Sequence, residues 1–227
     1  NLVFDWVTKI DTESNQLALK NSTKLNYDKL VLATGSKPNK FGWPGENLHG
    51  VQGLYSVQDL ELMEKNTANI KKAVVVGGGL IGVEMAEMFH SRGIKVDYLI
   101  REDNFWGNVL PKEDGDFIAN HLNNDHGINL HFNTELESIE GDSKENVTSV
   151  FTSQGNEIKC DFVGLTVGVS PNIELVKQTK IETKRGVLVN KKFETNIENI
   201  YAIGDCAEFT NPVKGRKAIE QVWYTGR

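Results

Sequence analysis

The sequence predicts an α/β fold from two local patterns and one global one. Ala73-Val74-Val75-Val76 is wholly apolar, as a strand buried on both faces should be. It runs into Gly77-Gly78-Gly79. Ile81, Met85, Met88 and Phe89 then recur at helical spacing, and Ile94–Ile100 reads as a second strand. This is one strand–helix–strand unit in about 30 residues. The global pattern is composition: 227 residues, 39% apolar and 25% charged, suit one large or two modest domains with a buried core.

The other elements follow in order. Short strands are expected at Val3–Val7 (the apolar run begins at Leu2), Leu17–Lys20 and Leu30–Ala33, separated by Asn, Asp, Ser and Lys. SKPNKFGWPGEN is dense in Gly and Pro and reads as a loop. Leu54–Lys65 has helical spacing, and Gly93 after Arg92 is a stop signal for the helix before it. A second helix is expected over Asp114–Asp125, ending at Gly127. Strands follow at Asn129–Phe132, Glu135–Ile139, Val147–Phe151, Glu157–Phe162 and Leu165–Val167, the middle ones as an antiparallel meander on a parallel sheet. A short helix is expected over Ile173–Thr179, then strands at Val187–Val189 and Ile200–Ile203, the last running into GDCAEF.

Several function classes are disfavoured. The net charge is -6 with no Lys/Arg cluster, so no nucleic-acid footprint is expected. Cys160 and Cys206 are far apart and form no C-x-x-C pair, which speaks against a zinc ribbon or a local dithiol and for a reducing compartment, here the cytoplasm. The histidines, His49, His90, His121, His126 and His131, show no metal-ligand spacing and read as surface or loop residues, so no metal is expected. No run is apolar enough for a membrane span; Ala73–Met88 is interrupted by glycines, Glu84 and Glu87. No signal peptide is expected from these residues, and because the first residue is not Met the chain is expected to be a piece of a longer protein.

The glycine run satisfies G-x-G-x-x-G in a strand–turn–helix setting. Gly77 permits the tight turn, Gly79 lets backbone approach a pyrophosphate, and Gly82 allows the helix to pack against the strand. The pyrophosphate of a dinucleotide then meets the helix N-terminus, where N–H groups and the helix dipole favour negative charge. The second strand ends in Arg101, followed by Glu102. An arginine there suits the 2'-phosphate of NADP, a carboxylate the 2'-hydroxyl of NAD. The choice stays open, leaning to NADPH.

LVLATGSKP at 30–38, GGGLIGVEMAE at 77–87, TVGVSPN at 166–172 and YAIGDCAEF at 201–209 occur in that order. Together they resemble the pyridine nucleotide-disulfide oxidoreductase superfamily of flavoproteins, most nearly the branch without a redox disulfide, over nearly the whole chain. The resemblance implies two Rossmann-like three-layer domains. An NAD(P)-binding domain at 47–172 would be inserted into an incomplete FAD-binding domain made of 1–46 and 173–227. It implies that Thr34 and Gly35 end a strand near FAD, that Gly77, Gly79 and Gly82 hold the NAD(P) pyrophosphate with Leu80 and Ile81 beside it, and that Glu84 lies near the nicotinamide. Gly168, with Pro171 and Asn172, would mark the return to the FAD domain. Gly204 and Asp205 would contact the ribityl-phosphate region of FAD. Independently, a carboxylate just past a buried strand can accept a hydroxyl hydrogen bond. A helix beginning near Glu220 would point at the flavin, with Trp223 and Tyr224 packed there or in the core.

Two departures from the family pattern stand out. Leu80 takes the place of a common aromatic gate, a less shielding residue for the nicotinamide. The first FAD glycine loop is expected upstream of Asn1 and an interface domain beyond Arg227. The implied activity is hydride transfer from NAD(P)H to FAD and on to an acceptor the sequence does not identify, with no side chain evident as an acid or base. The alternatives are a nucleotide-binding fragment or module without turnover and a flavin-free dehydrogenase, the latter leaving Gly204-Asp205 unexplained. No membrane or nucleic-acid partner is expected, and a homo-oligomer is compatible with the reading.

Overall fold

The structure is a computed structural model and describes residues 2–21, 24–107 and 109–221. The backbone divides into two compact units: Pro38–Gly168, and the residues up to Lys37 together with those from Val169 onward. Residues 38–46, expected with the first segment of the chain, thus fall in the Pro38–Gly168 unit, and 169–172 in the other.

The Pro38–Gly168 unit is built on a five-stranded parallel sheet. Its strands lie in the order Val51–Gln52, Phe162–Leu165, Lys72–Val76, Lys95–Leu99, Asn129–His131. The apolar run at 73–76 is explained by its place in the middle. Alternate side chains of a strand point to opposite faces. Ala73 and Val75 join Met85, Ala86 and Phe89 of the helix Leu80–Ser91, together with Tyr98 and Phe162, in one core. Val74 and Val76 join Leu99, Val163 and Leu165 in a second core against Leu136, Ile139, Val147, Val150 and Ile158. Those last residues come from an antiparallel three-stranded meander, Leu136–Gly141, Val147–Thr152 and Glu157–Lys159. Helix, parallel sheet and meander therefore form three layers. The helix Val57–Asn66 starts on a capping box, the Ser56 side chain accepting from the Asp59 N–H while Asp59 accepts from the Ser56 N–H.

Three sequence expectations shift here. The run 157–162 is two strands, because Cys160 and Asp161 turn the chain from meander to parallel sheet. The Asp161 carboxylate accepts the N–H groups of Lys71 and Lys72 at 3.0 and 3.1 Å, fixing that corner. The following strand accordingly runs Phe162–Leu165 rather than 165–167. The helix expected over 114–125 is α-helical only over Lys112–Asn120 and becomes a π-helical turn over His121–Asp125.

In the other unit, Leu30–Leu32 pairs in parallel with Ile200–Ala202, and Val187–Val189 with Ala207–Phe209. Leu32, Ile173, Val176, Val187, Val189, Ile200 and Cys206 make its core. The first strand is Val7–Asp11, not Val3–Val7, and it forms a hairpin with Gln16–Leu19. Val3, Phe4 and Trp6 are exposed, so no core anchors the earlier stretch. The Asp11 carboxylate instead accepts the N–H groups of Glu13 and Ser14, and Asn15 takes positive φ, which places the turn after Asp11. Ile173–Thr179 is a run of turns, not a helix. The Thr179 hydroxyl donates to the Val176 carbonyl and accepts from the Ile181 N–H, closing the segment before helix can propagate. The expectation of a helix from near Glu220 through Trp223 and Tyr224 falls on residues that, past Gln221, lie outside the described ones. Among the described residues no helix is long and apolar enough to cross a membrane.

Candidate functional site

The glycine loop sits where the central strand meets its helix, at the carboxyl end of the sheet, the usual ligand side of such folds. Gly77 has φ +114°, a conformation L side chains rarely adopt, and a Cβ there would lie 2.6 Å from the Thr166 carbonyl oxygen. Gly82 has no room either: its Cβ would meet the Tyr98 hydroxyl at 2.1 Å and the Gly77 carbonyl at 2.3 Å. Gly79 differs. A Cβ on it would meet nothing within 4 Å, and as N-cap of Leu80–Ser91 it offers no side-chain hydrogen bond. The Gly82 and Val83 N–H groups bond the Gly79 carbonyl at 3.1 and 3.2 Å, which leaves those of Leu80 and Ile81 as the helix-start donors without a partner among the described residues, the kind of group an anion satisfies.

The loop is held from beneath by two residues the sequence reading passed over. The Tyr98 hydroxyl donates to the Gly77 carbonyl at 2.9 Å, and the Thr166 hydroxyl shares its one hydrogen between the Val76 and Gly77 carbonyls, at 2.8 and 3.2 Å. Burial raises the Tyr98 phenol well above its ordinary value, keeping it a protonated donor. The signal was present: an aromatic with a polar tip in a fully buried strand needs a partner.

A cleft of about 450 Å³ opens in front of the loop, the size of a cofactor or small-molecule pocket. Gly77, Gly78 and Gly79 line it with Arg101, Glu102 and Gly168. Glu135, Thr166 and Trp106 line it too and were not singled out from the sequence. Trp106 belongs to a stretch folded back onto the loop, its N–H bonding the Gly78 carbonyl at 3.0 Å. Arg101 and Glu102 are paired to each other, Nη2 to Oε1 at 2.7 Å, and the hydrogen bond and charge of Glu102 raise the pKa of the guanidinium. Both candidates for the 2'-position thus stand on the cleft, one neutralising the other. Leu80, 52% exposed, Ile81, Gly82 and the exposed Glu84 sit on the helix but are not among the lining residues.

In the other unit the ends of two adjacent parallel strands form a second constellation. Past Leu32 the chain reaches Gly35 at φ +65°, and past Ala202 it reaches Gly204 at φ +69°. A Cβ at Gly204 would meet nothing within 4 Å. Thr34 donates to the Asn172 carbonyl at 2.6 Å, and the Asn172 N–H returns to the Gly35 carbonyl at 2.8 Å. Ser36, buried, donates to Asp205 Oδ2 at 3.0 Å and accepts from Gln221 Nε2 at 2.7 Å. Ser36 and Gln221 carried no sequence signal beyond the neighbouring Thr34-Gly35. Cys160 and Cys206 are both free and buried. Burial pushes the Cys160 thiol up to about 12, which leaves it unreactive.

Comparison with known proteins agrees with this architecture. The rubredoxin-NAD(+) reductase of Acinetobacter baylyi is 33% identical over 208 residues, 89% of this chain and 53% of that protein. The assimilatory nitrate reductase electron transfer subunit of Bacillus subtilis is 31% identical over 211 residues, 93% of this chain and 27% of that protein. The structure of a NAD-dependent persulfide reductase from A. fulgidus superposes with a TM-score of 0.89 at 30% identity, covering 97% of this chain and 41% of that one. The chain spans about half, or less, of the length of the proteins it matches. The sequence pattern of the pyridine nucleotide-disulphide oxidoreductases matches residues 2–224, and the chain belongs to that family.

Proposed function

We propose that the protein to which this chain belongs is an NAD(P)H-dependent flavin oxidoreductase, with NAD(P) held by the Pro38–Gly168 unit and FAD by the other. When bound, the two groups would supply the redox chemistry, hydride transfer from NAD(P)H to FAD. The chain's own part is binding and alignment. The observation that carries the reading is the loop at Gly77–Gly79, hydrogen-bonded from beneath and open at Gly79, with the Leu80 and Ile81 N–H groups unpartnered among the described residues at the head of a helix. Gly77, Gly79 and Gly82 would seat the pyrophosphate, with Leu80, Ile81 and Glu84 toward the nicotinamide and Arg101 and Glu102 at the 2'-position.

For FAD, the residues present fit a ligand passing close to backbone: Gly204 has open space where a Cβ would stand, and Asp205 is oriented by Ser36. Thr34, Gly35, Gly204 and Asp205 would contact it, with Gly168 marking the return of the chain. We propose a small redox protein as electron acceptor, by analogy with the relative named for rubredoxin. Two free buried thiols suit a reducing, cytoplasmic setting.

The test is spectroscopic. The full-length protein, purified without added cofactor, is expected to be yellow and to bleach under anaerobic NADH or NADPH. A colourless protein that neither takes up FAD nor binds NAD(P)H would overturn the reading. A yellow protein that binds NAD(P)H but never bleaches would leave a binding module without turnover.

A further inference from the structure

Three of the histidines gather far along the glycine-loop helix, and the π turn is the reason their spacing concealed it. His121 and His126 are five residues apart, which at about 100° per residue would set them roughly 140° apart on an α-helix. The chain is π-helical over His121–Asp125, and the His126 N–H bonds the His121 carbonyl at 3.3 Å. That wider turn brings residues five apart onto one face, and the two imidazole centroids lie 4.3 Å from each other. Glu87, from the helix Leu80–Ser91, meets them there. Its Oε1 is 4.0 Å from His121 Nε2 and 3.8 Å from His126 Nδ1. One ligand atom from each of the three residues lies within 4.8 Å of the other two.

The surroundings orient these atoms as a metal shell requires. His121 Nδ1 is 2.8 Å from Asp125 Oδ2, so it donates its proton outward and leaves the Nε2 lone pair facing Glu87. A carboxylate behind a histidine in this way is the usual support of a metal-bound imidazole. His126 Nδ1 is buried and has no hydrogen-bond partner among the described residues. Buried polar atoms are normally satisfied, so an orphan aimed at a carboxylate and a second imidazole calls for something between them. His90 stacks on His126 with centroids 4.3 Å apart and planes 11° apart, which fixes the ring plane.

We propose that Glu87, His121 and His126 bind one first-row divalent cation of the zinc class, with water completing the shell. Imidazole nitrogens favour this class over magnesium or calcium. Tetrahedral zinc with metal–nitrogen distances near 2.0–2.1 Å sets its donors about 3.3 Å apart. The observed separations therefore need to close by only roughly half an ångström to one and a half, within side-chain rotation. None of the three residues lines the cleft, so the site is separate from the nucleotide reading. The ion would tie the glycine-loop helix to the π turn.

The test uses the untagged full-length protein, stripped with chelator and titrated with Zn²⁺ against a chromophoric competitor, with Co²⁺ absorbance reporting geometry. One ion per chain at micromolar or tighter affinity is expected. Glu87→Gln and His121→Ala should each weaken it by about tenfold or more, Asp125→Asn by about tenfold, and His49→Ala not at all. Circular dichroism of the metal-free variants controls for folding; if His121→Ala misfolds, the near-isosteric Glu87→Gln decides. Absence of binding at micromolar Zn²⁺, or an affinity unchanged in Glu87→Gln, overturns the proposal.

Discussion

Gly77 and Gly79 stand two residues apart in the same loop, yet substitution should separate them cleanly. Gly79 has φ -101° and ψ -176°, extended backbone that alanine adopts without strain, and its Cβ would meet nothing within 4 Å. Replacing glycine restricts the unfolded chain, a gain of about 0.4–1 kcal/mol, while alanine is a poorer N-cap by a comparable amount. The two offset, so Gly79→Ala should melt within about 2 °C of the parent. Gly77→Ala forces a side chain to φ +114° and drives Cβ to 2.6 Å from backbone oxygen. Positive-φ strain alone costs on the order of 1–3 kcal/mol, and the clash adds to it. With about 3 kcal/mol in all, and about 2–4 °C per kcal/mol for a chain this size, Tm should fall by roughly 6–12 °C. Binding should show the reverse order of interest. The alanine methyl at 79 projects into the space before the helix N-terminus, so NAD(P)H affinity should drop by about tenfold, or 1.4 kcal/mol, in a protein that folds normally. Thermal melting paired with fluorescence titration of NADH and NADPH checks both. A Gly79→Ala protein with normal stability and unchanged affinity would refute the placement of the pyrophosphate.

Further outcomes follow from the same geometry. Arg101→Ala should weaken NADPH by about tenfold and leave NADH within about twofold, measured as Kd; equal loss for both would remove the arginine from the 2'-position. Tyr98→Phe deletes the 2.9 Å bond to the Gly77 carbonyl, but Thr166 still donates to that oxygen, so denaturant unfolding should report a loss of only about 1 kcal/mol. Asp97 is buried and contacts Lys72 Nζ and His131 Nε2, each at 2.7 Å, which links three neighbouring strands. Burial by itself raises its pKa, yet the hydrogen bonds and charges of His131 and Lys72 outweigh that and hold it below the ordinary 3.8. A lowered folded pKa stabilises above the unfolded value and is lost as pH falls through the folded one. Stability should therefore drop on acidification below about pH 4, and Asp97→Asn should lower stability at pH 7 and flatten that acid limb in unfolding midpoints taken against pH.

The patterns legible from sequence are the ones set by short-range periodicity. The apolar run 73–76, its glycine turn and the amphipathic helix after it are local, because a strand buried on both faces and a helix with one buried stripe each declare their period within a dozen residues. The meander was legible from strand-like runs separated by the turn signals EGDSKEN and SQGNE, and Leu136–Gly141 does pair with Val147–Thr152 across the first of them. Element ends were less so. Whether Val3–Val7 or Val7–Asp11 pairs depends on which stretch finds a core and where the Asp11 turn forms, and 157–162 carries no sign that Asp161 will bend it between two sheets.

By itself the sequence determined the strand–glycine–helix unit, the order of the other segments and the family pattern, because those are written in residue type and spacing. Tertiary structure alone decided what stands around them. It set Tyr98 and Thr166 beneath the loop, paired Arg101 with Glu102 on the cleft, brought Ser36 to Asp205 from 169 positions away, and closed His121 and His126 against Glu87 through a π turn. The physical reason is that hydrogen bonds and charge pairs of this kind join residues remote in the chain, or at a period no regular helix has, and only packing fixes which of them meet.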